Sequence, residues 1–333
     1  MSELRYNLIS REWVIIATER AKRPKDFVKV KKEKVVLPEY RENCPFCPGN
    51  ENLSPPETFR IPDGQSWRTR SIPNKFSALS PAEEKARDNR SIYHRQMSGY
   101  GFHEVLVEHP LHNTGIALMS NEDVENIIKT YKARYVAMQQ EKGIEAVIIF
   151  KNHGPSAGTS QEHPHSQLIA TPIVPPQSRG RIEQAVNLFD GTGQCMFCMS
   201  LKEELQENKR IVLETERFVS FIPYAALSPF TMWIFPKRHM ASFVGIDDRE
   251  IKDLAVNLKN TLAKLYYGLD NPDFNYTIRS IPVNEQGTEY FHWYISIIPR
   301  ISQPAGFELG SGIFINASVP EESAEFLRQA GCP

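Results

Sequence analysis

Two short turns set the terms on which this chain can fold: Cys44-Pro-Phe-Cys47 and Cys195-Met-Phe-Cys198. A pair of histidines follows each at nearly the same interval, 51 positions from His112 to His163 and 53 from His239 to His292. Matched spacing of this kind marks an internal duplication, because a unit copied in tandem carries its ligands with it. A Cys-x-x-Cys turn points two thiolates at one ion, and two imidazoles complete the tetrahedral set that zinc favours. The sequence therefore predicts two zinc ions per chain. One is held by Cys44, Cys47, His112 and His163, with His109 or His103 as alternatives to His112, and the other by Cys195, Cys198, His239 and His292. A closed four-ligand site has no open position for a water, so these ions hold the fold and do no chemistry. A disulfide between the motifs is the competing reading, and it requires an oxidising compartment. Cys332 is left over near the carboxyl end.

Apolar periodicity fills in what lies between. Leu8 to Thr18 reads as a first strand, and Phe102 to Glu108 alternates as another. Val124, Ile127, Ile128, Tyr131, Tyr135 and Met138 recur at helical spacing behind Glu122 and Asp123, within a helix expected from Ser120 to Lys142. Ala146 to Phe150 and Leu168 to Thr171 read as buried strands. Prolines from Pro172 to Pro176 break regular structure and place a boundary near 172–194, dividing the chain into halves 1–175 and 176–333. The second half repeats the order, with strands at Phe218–Ile222, Thr231–Phe235 and Phe274–Ser280 and a helix through Ile246 to Leu265. The expected class is α+β, each half a mainly antiparallel sheet with covering helices.

Charge excludes one class of partner. Lys and Arg total 39 against 40 Asp and Glu, and the net charge of -1 supplies no broad basic field for nucleic acid. No apolar run approaches the roughly 20 residues that span a bilayer, and the amino terminus lacks a signal-peptide pattern. The expectation is a cytoplasmic protein with no membrane or nucleic-acid partner.

Chemistry concentrates between Asn152 and Gln167, a loop with three histidines, two glycines and, just upstream of His163, three hydroxyl residues (Ser156, Thr159, Ser160), set between two apolar strands. With His163 assigned to metal, His165 is the imidazole left over. Two residues apart in a strand means the same face, which presents His165 to a cleft as a nucleophile toward phosphorus. A second metal ligand or a structural histidine is the alternative. Amides and hydroxyls of Gly158, Thr159 and Ser160 suit a phosphate, and Gln167 suits a phosphoryl oxygen. Arg20, Lys22 and Arg23 form a basic cluster that reads either as phosphate contacts or as a solvated face. In the second copy, His292-Trp-Tyr294 puts a tyrosine where His165 stands and Ser296 where Gln167 stands, so one active centre per chain is expected.

Taken together, Arg20-Ala-Lys-Arg-Pro24, the Cys-x-x-Cys turn, Pro73-Asn-Lys-Phe76, Asn152, Gly158-Thr-Ser160 and His163-Pro-His-Ser-Gln167 resemble the galactose-1-phosphate uridylyltransferase family of the histidine-triad superfamily. The resemblance covers nearly the whole chain. It implies two tandem histidine-triad-like halves, a homodimer, and ping-pong transfer through a nucleotidyl-histidine. By motif it makes His165 the nucleophile, with Gln167 and Ser160 beside it in catalysis. Asn74 and Asn152 become nucleotide contacts, and Gly158, Thr159, Ser160 and Gln161 complete the substrate-binding set with the basic cluster. The hexose-gripping Tyr-Glu pair of bacterial and animal relatives is missing from Phe307–Asn316, and the second site is again Cys2His2. Both features look like the plant branch, which implies a nucleotide sugar, ADP-glucose, cleaved by phosphate to ADP and glucose 1-phosphate. Transfer between UDP-glucose and a hexose 1-phosphate is the alternative within the family. A zinc-stabilised nucleotide-binding module without turnover is the alternative outside it.

Overall fold

Ten strands form one antiparallel sheet, and its strand order explains why the duplication was visible in the sequence. The computed structural model describes residues 2–18, 23–28, 36–89 and 91–331. The amino-terminal part supplies β1 (Glu3–Asn7), β2 (Glu12–Ile16), β3 (Phe59–Asp63), β4 (Ser66–Pro73), the small hairpin β5 (Arg87–Asn89) and β6 (Arg95–Met97), and β7 (Phe102–Val107). Helix α1 (Asn121–Gln139), β8 (Ala146–His153) and β9 (His165–Thr171) complete it. After α2 (Pro176–Thr192) and α3 (Met196–Glu207) come β10 (Ile211–Glu214), β11 (Phe218–Phe221), β12 (Met232–Pro236), α4 (Asp248–Gly268), β13 (Phe274–Arg279) and β14 (Tyr294–Pro299). Short α5 (Gly306–Ser311), β15 (Phe314–Asn316) and α6 (Pro320–Gln329) close the chain.

The sheet runs β10-β11-β12-β14-β13-β8-β9-β7-β4-β3. Read inward from each edge the two halves match strand for strand, and they meet where β8 pairs antiparallel with β13, Asn152 opposite Asn275. The two expected sheets are therefore fused into one. Helices α1 and α4 cover one face. Val124, Ile127, Tyr131, Leu254, Leu258 and Leu262 form a single core there with Leu168, Ala170, Ile295 and Ile297 of the strands. Each helix starts on a capping box, Ser120 with Asp123 and Asp247 with Glu250, which satisfies first-turn amides that would otherwise be unpaired. Because side chains alternate across a strand, Ser166 and Leu168 face the helices while His165 and Gln167 face the opposite side.

One expectation needs correction. Leu8–Thr18 is a strand only from Glu12 to Ile16: an unexpected β1 precedes it, and the two form a hairpin whose turn includes Arg11, at φ 63. The break expected at the prolines lies at 172–175, between β9 and α2, and the helix that follows was not expected. The prolines end at Pro176, the first turn of α2, where the missing N–H costs nothing because first-turn amides lack intrahelical partners anyway. Among the described residues no helix is long and apolar enough to cross a membrane.

Candidate active site and metal centres

His165 opens β9 opposite Val107 of β7 and is 7% exposed. Its Nδ1 lies 2.9 Å from the His163 carbonyl oxygen, which can only accept. The proton therefore sits on Nδ1, and the Nε2 lone pair is the one available. Burial lowers the His165 pKa and the Lys151 ammonium acts in the same direction, outweighing the hydrogen bond to His163, so the ring is neutral near pH 7. Phe46, inside the first Cys-x-x-Cys turn, packs its ring 5.5 Å from that of His165 and 6.0 Å from that of His163. The Cys-x-x-Cys turn and His165 thus share one wall.

A buried charge pair lies beneath. Lys151 Nζ donates to Glu108 Oε2 at 2.5 Å and to the His165 carbonyl at 3.0 Å. Glu108 Oε1 accepts from Tyr131 at 3.0 Å and from Ser166 at 2.5 Å, and the Tyr131 and Tyr276 hydroxyls meet at 2.6 Å. The network fixes the backbone of β9 on the helix side and leaves the His165 ring on the other side of the sheet, against Phe46.

On the same face as His165 lie Asn152, Gln167 and, beside Gln167, Asn74. Phe150 pairs with Gln167, which sets Asn152, two residues further along β8, beside His165 on the same face. Gln167 Oε1 meets His103 Nε2 at 2.7 Å and Asn74 Nδ2 at 3.5 Å. The loop from Gly154 makes a short 3-10 turn, Pro155–Ala157, and leaves through Gly158 at φ 85, with Gly158, Ser160 and Gln161 exposed and Thr159 half-buried. Thr159 Oγ1 donates to the Gln161 carbonyl at 3.2 Å. Arg23 starts the short helix Pro24–Phe27, and among the described residues no hydrogen bond or ion pair joins it to His165 or the loop. Arg20 and Lys22 lie outside the described residues.

Residues from the second half brace the loop, and sequence reasoning missed them. Asp273 Oδ2 accepts from the Ser156 amide at 2.6 Å. Gly154 has φ +84, and a Cβ added there would collide with the Asp273 carboxylate, so this position needs glycine on two counts. Asn275 Nδ2 donates to Asn152 Oδ1 at 2.7 Å and to the Ala157 carbonyl at 2.9 Å, and Arg300 holds its oxygen. The available signal was the duplication itself, since β13 is the counterpart of β8 and pairs with it.

Cys44, Cys47, His112 and His163 come together, all buried, with their ligand atoms within 4.8 Å of one another. Sulfur to Nδ1 separations are 3.6 Å for Cys47–His112, 3.6 Å for Cys47–His163 and 3.8 Å for Cys44–His163. A tetrahedral zinc with bonds of about 2.3 Å to sulfur and 2.05 Å to nitrogen sets that separation at about 3.6 Å, so the residues fit such an ion. The His163 Nε2–H donates to the His109 carbonyl at 2.7 Å, which fixes the tautomer that turns Nδ1 toward the thiolates. Burial pushes His163 down to about 3, keeping it the neutral ligand a metal requires. His109 and His103 are outside the cluster.

In the second half Cys195, Cys198 and His239 group within the same 4.8 Å. His292 Nδ1 is 3.2 Å from Cys198 Sγ but falls outside that mutual spacing. Cys195 is the N-cap of α3 and Cys198 lies in its first turn, so a helix presents these thiols where loops present Cys44 and Cys47. Tyr294 opens β14 as His165 opens β9, and Phe197 lies 5.9 Å from its ring as Phe46 lies against His165. Ser296 pairs with Trp233 where Gln167 pairs with Val105.

Comparison with known proteins agrees with this layout. The galactose-1-phosphate uridyl transferase N-terminal domain matches residues 1–175 and its C-terminal domain matches residues 181–301. The chain is an enzyme of the nucleotidyltransferase class. It belongs to the galactose-1-phosphate uridylyltransferase family. It is 37% identical to an ADP-glucose phosphorylase of Arabidopsis thaliana over 98% of this chain and 92% of that one. It is also 30% identical to a galactose-1-phosphate uridylyltransferase of Thermotoga maritima over 99% and 98%. A crystal structure of an Arabidopsis thaliana ADP-glucose phosphorylase with bound ADP-glucose superposes with a TM-score of 0.85 at 33% identity, covering 100% of both chains.

Proposed function

We propose that this chain cleaves ADP-glucose with inorganic phosphate, giving ADP and glucose 1-phosphate through an adenylyl-His165 intermediate. The observation that carries the reading is the state of His165: Nδ1 is tied to the His163 carbonyl, and among the described residues nothing hydrogen-bonds to Nε2. Nε2 attacks the α-phosphorus, the bond to the glucose 1-phosphate oxygen breaks, and glucose 1-phosphate leaves. Phosphate oxygen then attacks the same phosphorus, the P–N bond breaks, and ADP departs with the histidine restored. Splitting the transfer lets one site serve donor and acceptor in turn. The Gly158–Gln161 segment takes the phosphates, Gln167 donates to the α-phosphoryl oxygen where charge develops, and Asn74 and Asn152 take the nucleotide. Similarity to the Arabidopsis enzyme along both chains supports adenine and phosphate over uracil and a sugar phosphate.

Two zinc ions suit the two cysteine–histidine groups, His292 completing the second. When bound they hold the turns and supply no chemistry to the reaction. The division at residue 175, a homodimer and a cytoplasmic location belong to the same proposal. Side-by-side rates decide the substrate. ADP formation from ADP-glucose and phosphate is expected to exceed hexose exchange between UDP-glucose and galactose 1-phosphate, and faster exchange would move the assignment to the uridylyltransferases. Nucleotide binding without turnover under both conditions would favour a pure binding module.

A further inference from the structure

We infer that His103 is a positioning residue that sets which end of the Gln167 amide faces the substrate. The inference rests on the proposed role of Gln167. Four contacts fix it without ambiguity about protons. The Ala78 backbone N–H, which can only donate, points at His103 Nδ1 at 3.2 Å. Nδ1 is therefore the acceptor and Nε2 carries the hydrogen. Nε2 in turn lies 2.7 Å from Gln167 Oε1, so that atom is an oxygen accepting a hydrogen bond, and the Gln167 NH2 group points away from His103.

Asn74 reinforces the choice. Its Oδ1 accepts from the Phe76 amide at 2.9 Å, so its NH2 is the end turned toward Gln167, 3.5 Å from Oε1. The 3.1 Å approach of Asn74 Nδ2 to His103 Nε2 is then between two donors, which converge on the same glutamine oxygen. An amide with its oxygen held from two sides has only its NH2 left to offer. That is the end a phosphoryl oxygen needs, whereas a flipped amide would set carbonyl oxygen against it. On β7 and β9, Gln167 pairs with Val105, and His103 is the next residue on the same face, a diagonal neighbour within reach. The sequence offered His103 only as a metal ligand, and the structure places it outside both groups of metal-ligating side chains.

The test is single-turnover transfer of label from α-labelled ADP-glucose to the protein. His103→Leu removes the donor and is expected to slow transfer about fivefold, the worth of one neutral hydrogen bond, with KM little changed. His103→Gln, whose amide nitrogen reaches the place of Nε2, should recover most of the rate. Gln167→Ala is expected to lose on the order of 10²-fold, and adding His103→Leu to it should cost less than about twofold more, because the histidine acts through the glutamine. Wild-type rates in His103→Leu, or the same fivefold loss in the Gln167→Ala background, would overturn the inference while leaving the reaction assignment standing. Failure of the unsubstituted chain to take label would instead remove the reading on which the inference rests.

Discussion

Lys151→Met should be among the most damaging single substitutions in this chain, although its hydrogen bond to His165 is to the carbonyl and not to the ring. Lys151 and Glu108 are 2% and 1% exposed and 2.5 Å apart. Removing the ammonium strands a carboxylate in the core, which costs about 3–5 kcal/mol, far more than the pair contributes as a pair. The His165 carbonyl also loses its donor. The double variant Lys151→Met with Glu108→Met should be milder, below about 2 kcal/mol, since apolar replacement of a buried ion pair is often near neutral. The hydroxyls left behind have each other: Tyr131 lies 2.5 Å from Ser166 and 2.6 Å from Tyr276. The assay is the urea midpoint followed by tryptophan fluorescence, read as an order: wild type, then the double variant, then Lys151→Met. A single variant as stable as wild type, or a double variant below the single, would refute the reasoning.

The other predictions follow from the loop and the metal groups. Asp273→Asn replaces a charge-assisted bond to the Ser156 amide with a neutral one and should cut turnover by roughly threefold to tenfold at a nearly unchanged melting temperature, measured by ADP formation. Gly154→Ala forces a side chain into left-handed backbone and against Asp273, and should cost about 1–2 kcal/mol in urea unfolding, together with most of the activity. Removing metal with a strong chelator should release two zinc equivalents per chain and lower the melting temperature, and fewer than two by elemental analysis would contradict the proposed ligand sets.

Much of this was legible in the sequence for a physical reason. Ligand spacing and apolar period survive duplication, so the Cys44 group, α1, α4 and the place of Tyr294 as the counterpart of His165 could be read without coordinates. The helix from Pro176 to Thr192 was hidden because proline signals a break in a run and also a first turn. Fusion of the halves through β8 and β13 was hidden because an edge strand and a central strand share one alternating pattern. The contacts of His103, Asp273 and Asn275 were hidden because their partners lie 64, 117 and 123 positions away. Nothing local in the chain records such a pairing.

The account stands or falls on the bond it places at His165. Incubation with α-labelled ADP-glucose should give acid-labile, base-stable label approaching one equivalent per chain, which inorganic phosphate discharges as ADP. His165→Asn should take none. An unsubstituted chain that turns over without label, or label that survives in His165→Asn, would contradict it.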